Sequence, residues 1–201
     1  MTAPIIDLSF PHRWQAEVLP TRPLILPQHH YVYPRNVEEV ERGALEVLVQ
    51  LEANEPTPKN PPKHSSGALQ FLATCALGFR DPAVPSGLWS CPRAEELCAV
   101  AGGYAYIIDT SAPERFTMLP YRPVLEVRSL PAEGLLLFVG HRNILAWSAE
   151  GQTWESEKLS DEGITITGVK DRKLHGLGWN LMTDKETPFA LSIGSGKRVS
   201  D

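Results

Sequence analysis

Residues 135–157 read Leu135-Leu136-Leu137-Phe138-Val139, Gly140-His141-Arg142-Asn143, Ile144-Leu145-Ala146-Trp147-Ser148, Ala149-Glu150-Gly151, then Gln152-Thr153-Trp154-Glu155-Ser156-Glu157. The apolar runs are five residues long and bounded by turn-forming residues. They are too short for globular helices and the right length for strands. In Leu135 to Val139 every position is apolar, so both faces need cover and the strand is expected to be central. In Thr153 to Glu157 the faces differ, with Trp154 on one side and Glu155 and Glu157 on the other. That strand is expected nearer an edge, with its glutamates in water.

The same alternation of run and turn extends in both directions. Upstream lie Leu97 to Gly102, Tyr104 to Asp109, Arg115 to Leu119 and Val124 to Leu130. Downstream lie Ile164 to Val169, Leu174 to Trp179 and Pro188 to Ile193. Between them fall Gly102-Gly103, Asp171-Arg172, Thr183-Asp184-Lys185 and Gly194-Ser195-Gly196, residues that supply turns. The pattern predicts an antiparallel meander. A longer period overlies it. Leu97-Cys98-Ala99-Val100 matches Leu136-Leu137-Phe138-Val139, and Val124-Leu125-Glu126-Val127 falls on Ile164-Thr165-Ile166-Thr167. Both offsets are about forty residues, the length of a four-stranded propeller blade.

The stretch from Ser90-Cys91-Pro92 through Leu97 to Val100 and on to Tyr106-Ile107-Ile108-Asp109 resembles a β-propeller blade of the WD40 or YVTN type. Those blades run serine-proline, a turn, Leu-Ala-Val, glycines, then an apolar strand ending in aspartate. Ile144 to Trp154 resembles the quinoprotein-like blade, in which a turn glycine precedes a tryptophan. The resemblance spans residues 84–195. It implies an all-β fold, an antiparallel meander of four-stranded units of about forty residues, propeller-like. About three units are recognisable, against four to eight in a closed ring, and a two-sheet β-sandwich produces the same pattern. Neither architecture carries a function with it.

The amino-terminal part is different. Residues 1–43 hold apolar pieces interrupted by proline, such as Pro23-Leu24-Ile25-Leu26-Pro27 and Tyr31-Val32-Tyr33-Pro34. They are expected to be extended arms or edge strands packing on the sheets, because proline removes ladder donors. Asn36 and Glu39 resemble a helix cap, and Val37, Val40, Ala44, Val47 and Leu51 keep helical spacing. Leu45, Val47, Val49 and Leu51 also alternate, and Gly43 weakens a helix, so a strand from Ala44 to Leu51 is the preferred reading. Residues 54–66 contain four prolines among polar neighbours. They are expected to form a mobile loop at the tip of a long hairpin within one domain spanning 1–201.

Proline, at 18 of 201 residues, argues for many connections and few long helices. A net charge of −5 provides no basic stripe for phosphates, so no nucleic-acid partner is expected. The start of the chain has no basic n-region, and no apolar run approaches a membrane span, so cytoplasmic residence and no membrane partner are expected. Cys75, Cys91 and Cys98 do not make a disulfide framework.

His29-His30, followed by Tyr31, is the most suggestive polar cluster. Adjacent strand residues face opposite ways, so the two histidines are not expected to share a metal ion. Cys91 and Cys98 are spaced too widely for a structural zinc pair. No metal and no cofactor are expected. Trp89, Trp147, Trp154 and Trp179 sit near strand ends; core packing is the ordinary account of such rings, and Trp89 and Trp179 are candidates for an aromatic binding face. The sequence has no G-x-S-x-G, H-E-x-x-H or G-x-G-x-x-G motif. The expectation is a non-catalytic binding or protein-interaction module for a protein or small-molecule ligand. The alternative is a small hydrolase-like enzyme whose site is assembled from residues distant in sequence.

Overall fold

A computed structural model describes residues 3–35, 42–51 and 70–200. The first part of the chain forms β1 (Ile5–Asp7), β2 (Trp14–Leu19), β3 (His30–Tyr33), β4 (Ala44–Leu51) and β5 (Gln70–Ala76). Next come β6 (Gly87–Ser90), β7 (Glu96–Ala101), β8 (Tyr104–Asp109) and β9 (Phe116–Met118). They are followed by β10 (Glu126–Leu130), β11 (Leu135–Val139), β12 (Ile144–Ser148) and β13 (Gly151–Glu155). The last three are β14 (Ile164–Lys170), β15 (Lys173–Asn180) and β16 (Lys185–Ser192). Among the described residues there is no α-helix, only a 3-10 turn at Pro131–Glu133.

The strands make four sheets, ordered β2-β4-β5-β3, β1-β6-β7-β8-β9, β10-β11-β12-β13 and β14-β15-β16. Apolar side chains join each sheet to the next, so the sheets stack in that order. Trp14, Val47, Val49 and Phe71 of the first sheet pack on Leu97, Ala99, Tyr106 and Ile108 of the second. Cys98, Val100 and Ile107 on the second sheet's other face meet Leu136, Phe138 and Leu145 of the third. Leu135, Leu137 and Val139 then face Ile166, Leu174 and Leu191 of the fourth.

This double cover explains the continuous apolar runs. β7 and β11 each have a sheet against both faces, so successive side chains are buried in opposite directions. Phe138 is fully buried, and that burial alone stabilises the fold by about 1.5–3 kcal/mol. β13 lies at the edge of its sheet with Trp154 inside and Glu155 exposed, as the alternation predicts. The residues from Ser156 onward leave the strand, so it ends earlier than the sequence pattern suggests.

β4 occupies the span preferred over a helix, and it pairs antiparallel with β5, from Ala44 opposite Ala76 to Gln50 opposite Gln70. The expected loop 54–66 and the Asn36–Glu39 pair lie outside the described residues. Of the amino-terminal arms, β1 joins the second sheet parallel to β6, while β2 and β3 are full members of the first. The approach of β1 depends on Gly87. A Cβ there would sit 2.0 Å from the Ile5 carbonyl oxygen, a distance no side chain tolerates. At the far end, Asp171 and Arg172 both have positive φ, 49° and 59°, closing β14 onto β15 in a two-residue turn whose twist suits a hairpin. Among the described residues no sheet closes on itself, and the packing of sheet on sheet is that of sandwiches, repeated along the stack.

Candidate functional site

β3 brings the polar cluster of the sequence to one edge of the first sheet. Its residues alternate. Tyr31 and Tyr33 take the face turned toward the second sheet; on it Tyr31 meets Phe71 of the neighbouring β5 edge-on at 5.6 Å, and Tyr33 meets Phe116 of the second sheet at 4.9 Å. The Tyr33 hydroxyl donates to the Pro113 carbonyl at 2.7 Å. Burial pushes the Tyr33 phenol well above its ordinary pKa, so it stays a donor. His30 takes the opposite face.

Behind His30 lies a chain of hydrogen bonds on that face. Thr74, fully buried on β5, donates its Oγ1 proton to Glu46 Oε2 at 2.5 Å. His30 Nε2 lies 2.9 Å from the same Oγ1. The single threonine proton is already committed to Glu46, so His30 must be the donor there. Its Nε2 therefore carries the proton and Nδ1 keeps the lone pair. Arg22 Nε donates to the other Glu46 oxygen at 2.9 Å, from a side chain that is 42% exposed. Glu46 itself is 6% exposed, and a carboxylate so buried is tolerated only because both oxygens are paired. Burial and the nearby Arg22 charge lower the His30 pKa below its usual value, against the opposing pull of Glu46.

Beside this chain, a cleft of about 320 Å³ runs along β3. Residues 30–33 and Arg35 form one wall, and Pro113 and Glu114 of the β8–β9 connection form the other. The walls are tied across the cleft. Tyr31 Oη donates to Glu114 Oε1 at 3.1 Å, and the Arg35 guanidinium donates to the Glu114 carbonyl at 3.0 Å. The arrangement can hold a polar or extended ligand between an aromatic edge, a cation and a carboxylate.

The other candidates fall elsewhere. His29 immediately precedes β3, and its carbonyl accepts the Leu72 N–H at 2.9 Å. Trp89 is 1% exposed between the second and third sheets, so it fills the core and offers no binding face. Trp147 and Trp154 are core rings too, with their indole N–H groups donating to Glu96 Oε2 and to the Ile193 carbonyl. Trp179 is partly exposed and lines a second recess of about 220 Å³, with Ser160 and Asp161. That recess belongs to the fourth sheet, away from the His30 cluster. Its polar groups bond one another: Ser160 Oγ accepts the Trp179 N–H at 2.8 Å and donates to the Gly163 carbonyl at 2.6 Å. Lys158 holds the Asp161 carboxyl below the usual carboxylate range.

Among the described residues no three His, Cys, Asp or Glu side chains converge as a metal site would require. Cys75, Cys91 and Cys98 are buried and unpaired, and burial raises each thiol pKa. Among the described residues no helix is long and apolar enough to cross a membrane. Glu46, Thr74, Arg22, Arg35 and Glu114 were not among the sequence candidates. A signal existed for two of them: Glu46 and Thr74 are polar residues set within otherwise apolar strands.

No family model and no curated protein matches the chain. One solved structure with a similar course is the N-terminal domain of Nup159, at 11% identity and a TM-score of 0.38. The match takes in all of this chain and 54% of that one, so the chain spans about half the length of that domain. A likeness at this level carries no argument about function.

Proposed function

We propose that the chain is a propeller-like stack of sheets serving as a non-catalytic interaction module, with its recognition site in the β3 cleft. The propeller-like reading draws support from three consecutive antiparallel meanders, one in each of the last three sheets, which begin at Gly87, Glu126 and Ile164, close to forty residues apart. One observation carries the functional reading: the charged and phenolic groups at the cleft are already committed to protein partners. Glu114 is held by Tyr31, Arg35 by the Glu114 carbonyl, Tyr33 by Pro113, and Glu46 by Thr74 and Arg22. Such pairing pre-organises a wall for recognition and leaves no activated nucleophile. The partner is a protein or small molecule. Three buried, unpaired thiols suit a reducing, cytoplasmic setting.

The hydrolase-like alternative has one observation in its favour, the neutral His30 with its lone pair directed away from Thr74. The test is an amide-resolved NMR screen of a fragment collection, run beside turnover assays with ester and phosphoester substrates. Fragments that shift the 30–35 and 113–114 amides without turnover are the expected result. Turnover abolished by His30→Ala would overturn the module reading in favour of the enzyme.

A further inference from the structure

β3 ends the first sheet, and among the described residues only its β5 side is paired. It runs parallel to β5, with His30 opposite Leu72 and Val32 opposite Thr74, and the Leu72 N–H bonds the His29 carbonyl. In a parallel ladder that bond fixes the rest. The backbones of residues 29, 31 and 33 turn toward β5, while the N–H and C=O groups of His30 and Val32 point out of the sheet. The cleft is lined by residues of both faces of β3 and by none of β5, so it opens at this edge. An exposed row of backbone donors and acceptors is a template for another strand, and proteins normally blunt it with proline, lysine or a bulge. Here the first blunting residue is Pro34, beyond the strand. Pro113 and Glu114, reached by the Tyr33 and Tyr31 hydroxyls, close the cleft from the tyrosine face of the strand.

Building on the module reading above, we propose that the cleft takes an extended, basic peptide that adds to the free edge of β3. Its backbone pairs with His30 and Val32, as in strand-addition recognition generally. The charge of the peptide follows from what surrounds it. Glu114 presents a carboxylate whose protein partner is the neutral Tyr31 hydroxyl, so it keeps its charge and spare lone pairs; Arg35, the cleft's cation, keeps its charge too but aims its guanidinium at the Glu114 backbone carbonyl. A lysine or arginine beside β3 reaches that carboxylate, and the chain's net charge of −5 favours the approach of a cation. Tyr31 and Tyr33, anchored from behind, keep the strand straight so that little ordering accompanies binding.

The test pans a random heptapeptide phage library against the wild-type chain and then measures the selected peptides as synthetic, end-capped molecules by fluorescence anisotropy. Three comparisons follow for each peptide: its N-methylated form, the Val32→Pro variant and the Glu114→Gln variant. Selected peptides rich in lysine or arginine are expected. Loss of affinity should be about tenfold or more on N-methylation and with Val32→Pro, both of which remove backbone pairing. N-methylation changes only the peptide, so it decides the matter even where Val32→Pro impairs folding. Glu114→Gln should weaken the basic peptides several-fold and leave neutral ones alone. Peptides that bind equally well when N-methylated would overturn strand addition while leaving the module reading intact. A selection without cationic enrichment, or one that yields no peptide although fragments bind the cleft, would equally overturn the inference. If neither fragments nor peptides engage the cleft, both readings fall.

Discussion

Thr74→Val removes one hydroxyl and adds one methyl at nearly constant volume, at the centre of the hydrogen-bond chain. Thr74 is fully buried, and its Oγ1 serves both Glu46, at 2.5 Å, and His30, at 2.9 Å. The substitution leaves Glu46 Oε2 without its donor in a place that water does not reach. A hydrogen bond to a charged group contributes about 1.5–3 kcal/mol net, and a stranded buried acceptor costs a similar amount. His30 is only partly buried and recovers some hydration, so its loss adds little. The expected destabilisation is about 2–3 kcal/mol, or roughly 4–12 °C in Tm for a chain of this size. Urea melts followed by tryptophan fluorescence and by circular dichroism read it directly. A paired variant sharpens the reasoning. Replacing Glu46 with leucine in the same protein removes the stranded carboxylate, so Thr74→Val with Glu46→Leu should lie at least about 1 kcal/mol above the sum of the single effects. The half-exposed Arg22 can then turn to water. A Thr74→Val variant within about 0.5 kcal/mol of wild type, or strict additivity in the pair, would refute this account of the network.

Phe138→Ala, in a strand covered on both faces, should cost about 3–5 kcal/mol through lost transfer energy and a residual cavity. Glu155→Ala, on the exposed face of β13, should change stability by less than about 0.5 kcal/mol in the same melts, and a loss comparable to that of Phe138 would mean the strand faces are wrongly placed. His30 should titrate below its ordinary pKa, because burial and Arg22 oppose the imidazolium. The folded state then binds fewer protons than the unfolded one. The stability linked to His30 is therefore fully present above about pH 6.5 and is lost as pH falls toward the folded value. Melts of wild type and His30→Gln between about pH 5 and 7.5 should show the gap narrowing as the pH drops; a gap that widens would reverse the sign.

The strands of residues 87–192 were legible because each is decided locally. Leu135 to Val139 is apolar at every position, and Leu97 to Ala101 nearly so. A strand with both faces apolar must be covered twice, which is what the second and third sheets do. Thr153 to Glu155 announced an edge by its mixed faces, and β13 is an edge. The start of the chain was harder to read for a physical reason. β3 and β1 join their sheets by parallel pairing, β3 to β5 and β1 to β6, and parallel neighbours leave no hairpin turn between them in the sequence. Proline-broken pieces such as Tyr31-Val32-Tyr33-Pro34 therefore read as extended arms or edge strands without a stated partner; β3 is an edge strand, and its partner is β5.

The candidate site was half legible for the same reason. His30 and Tyr31 were found as residue types, but their partners lie 44 and 83 positions away, at Thr74 and Glu114. No spacing rule connects residues that meet only because a parallel strand docks beside β5. The charge within β4 was a local clue. In Leu45-Glu46-Val47, a glutamate stands among apolar neighbours on a strand whose other face is core, and it requires a buried partner or a wet face. The structure supplies the partner in Thr74 and Arg22. Trp89 is the opposite case: its place near a strand end suited either core packing or an aromatic binding face, and its ring fills the space between two sheets. The contrast follows from what each group demands. An indole is satisfied by any apolar contact plus a single acceptor, so many burial sites suit it. A carboxylate as buried as Glu46 requires specific donors, so its presence inside a strand constrains the tertiary neighbours far more strongly than an aromatic does.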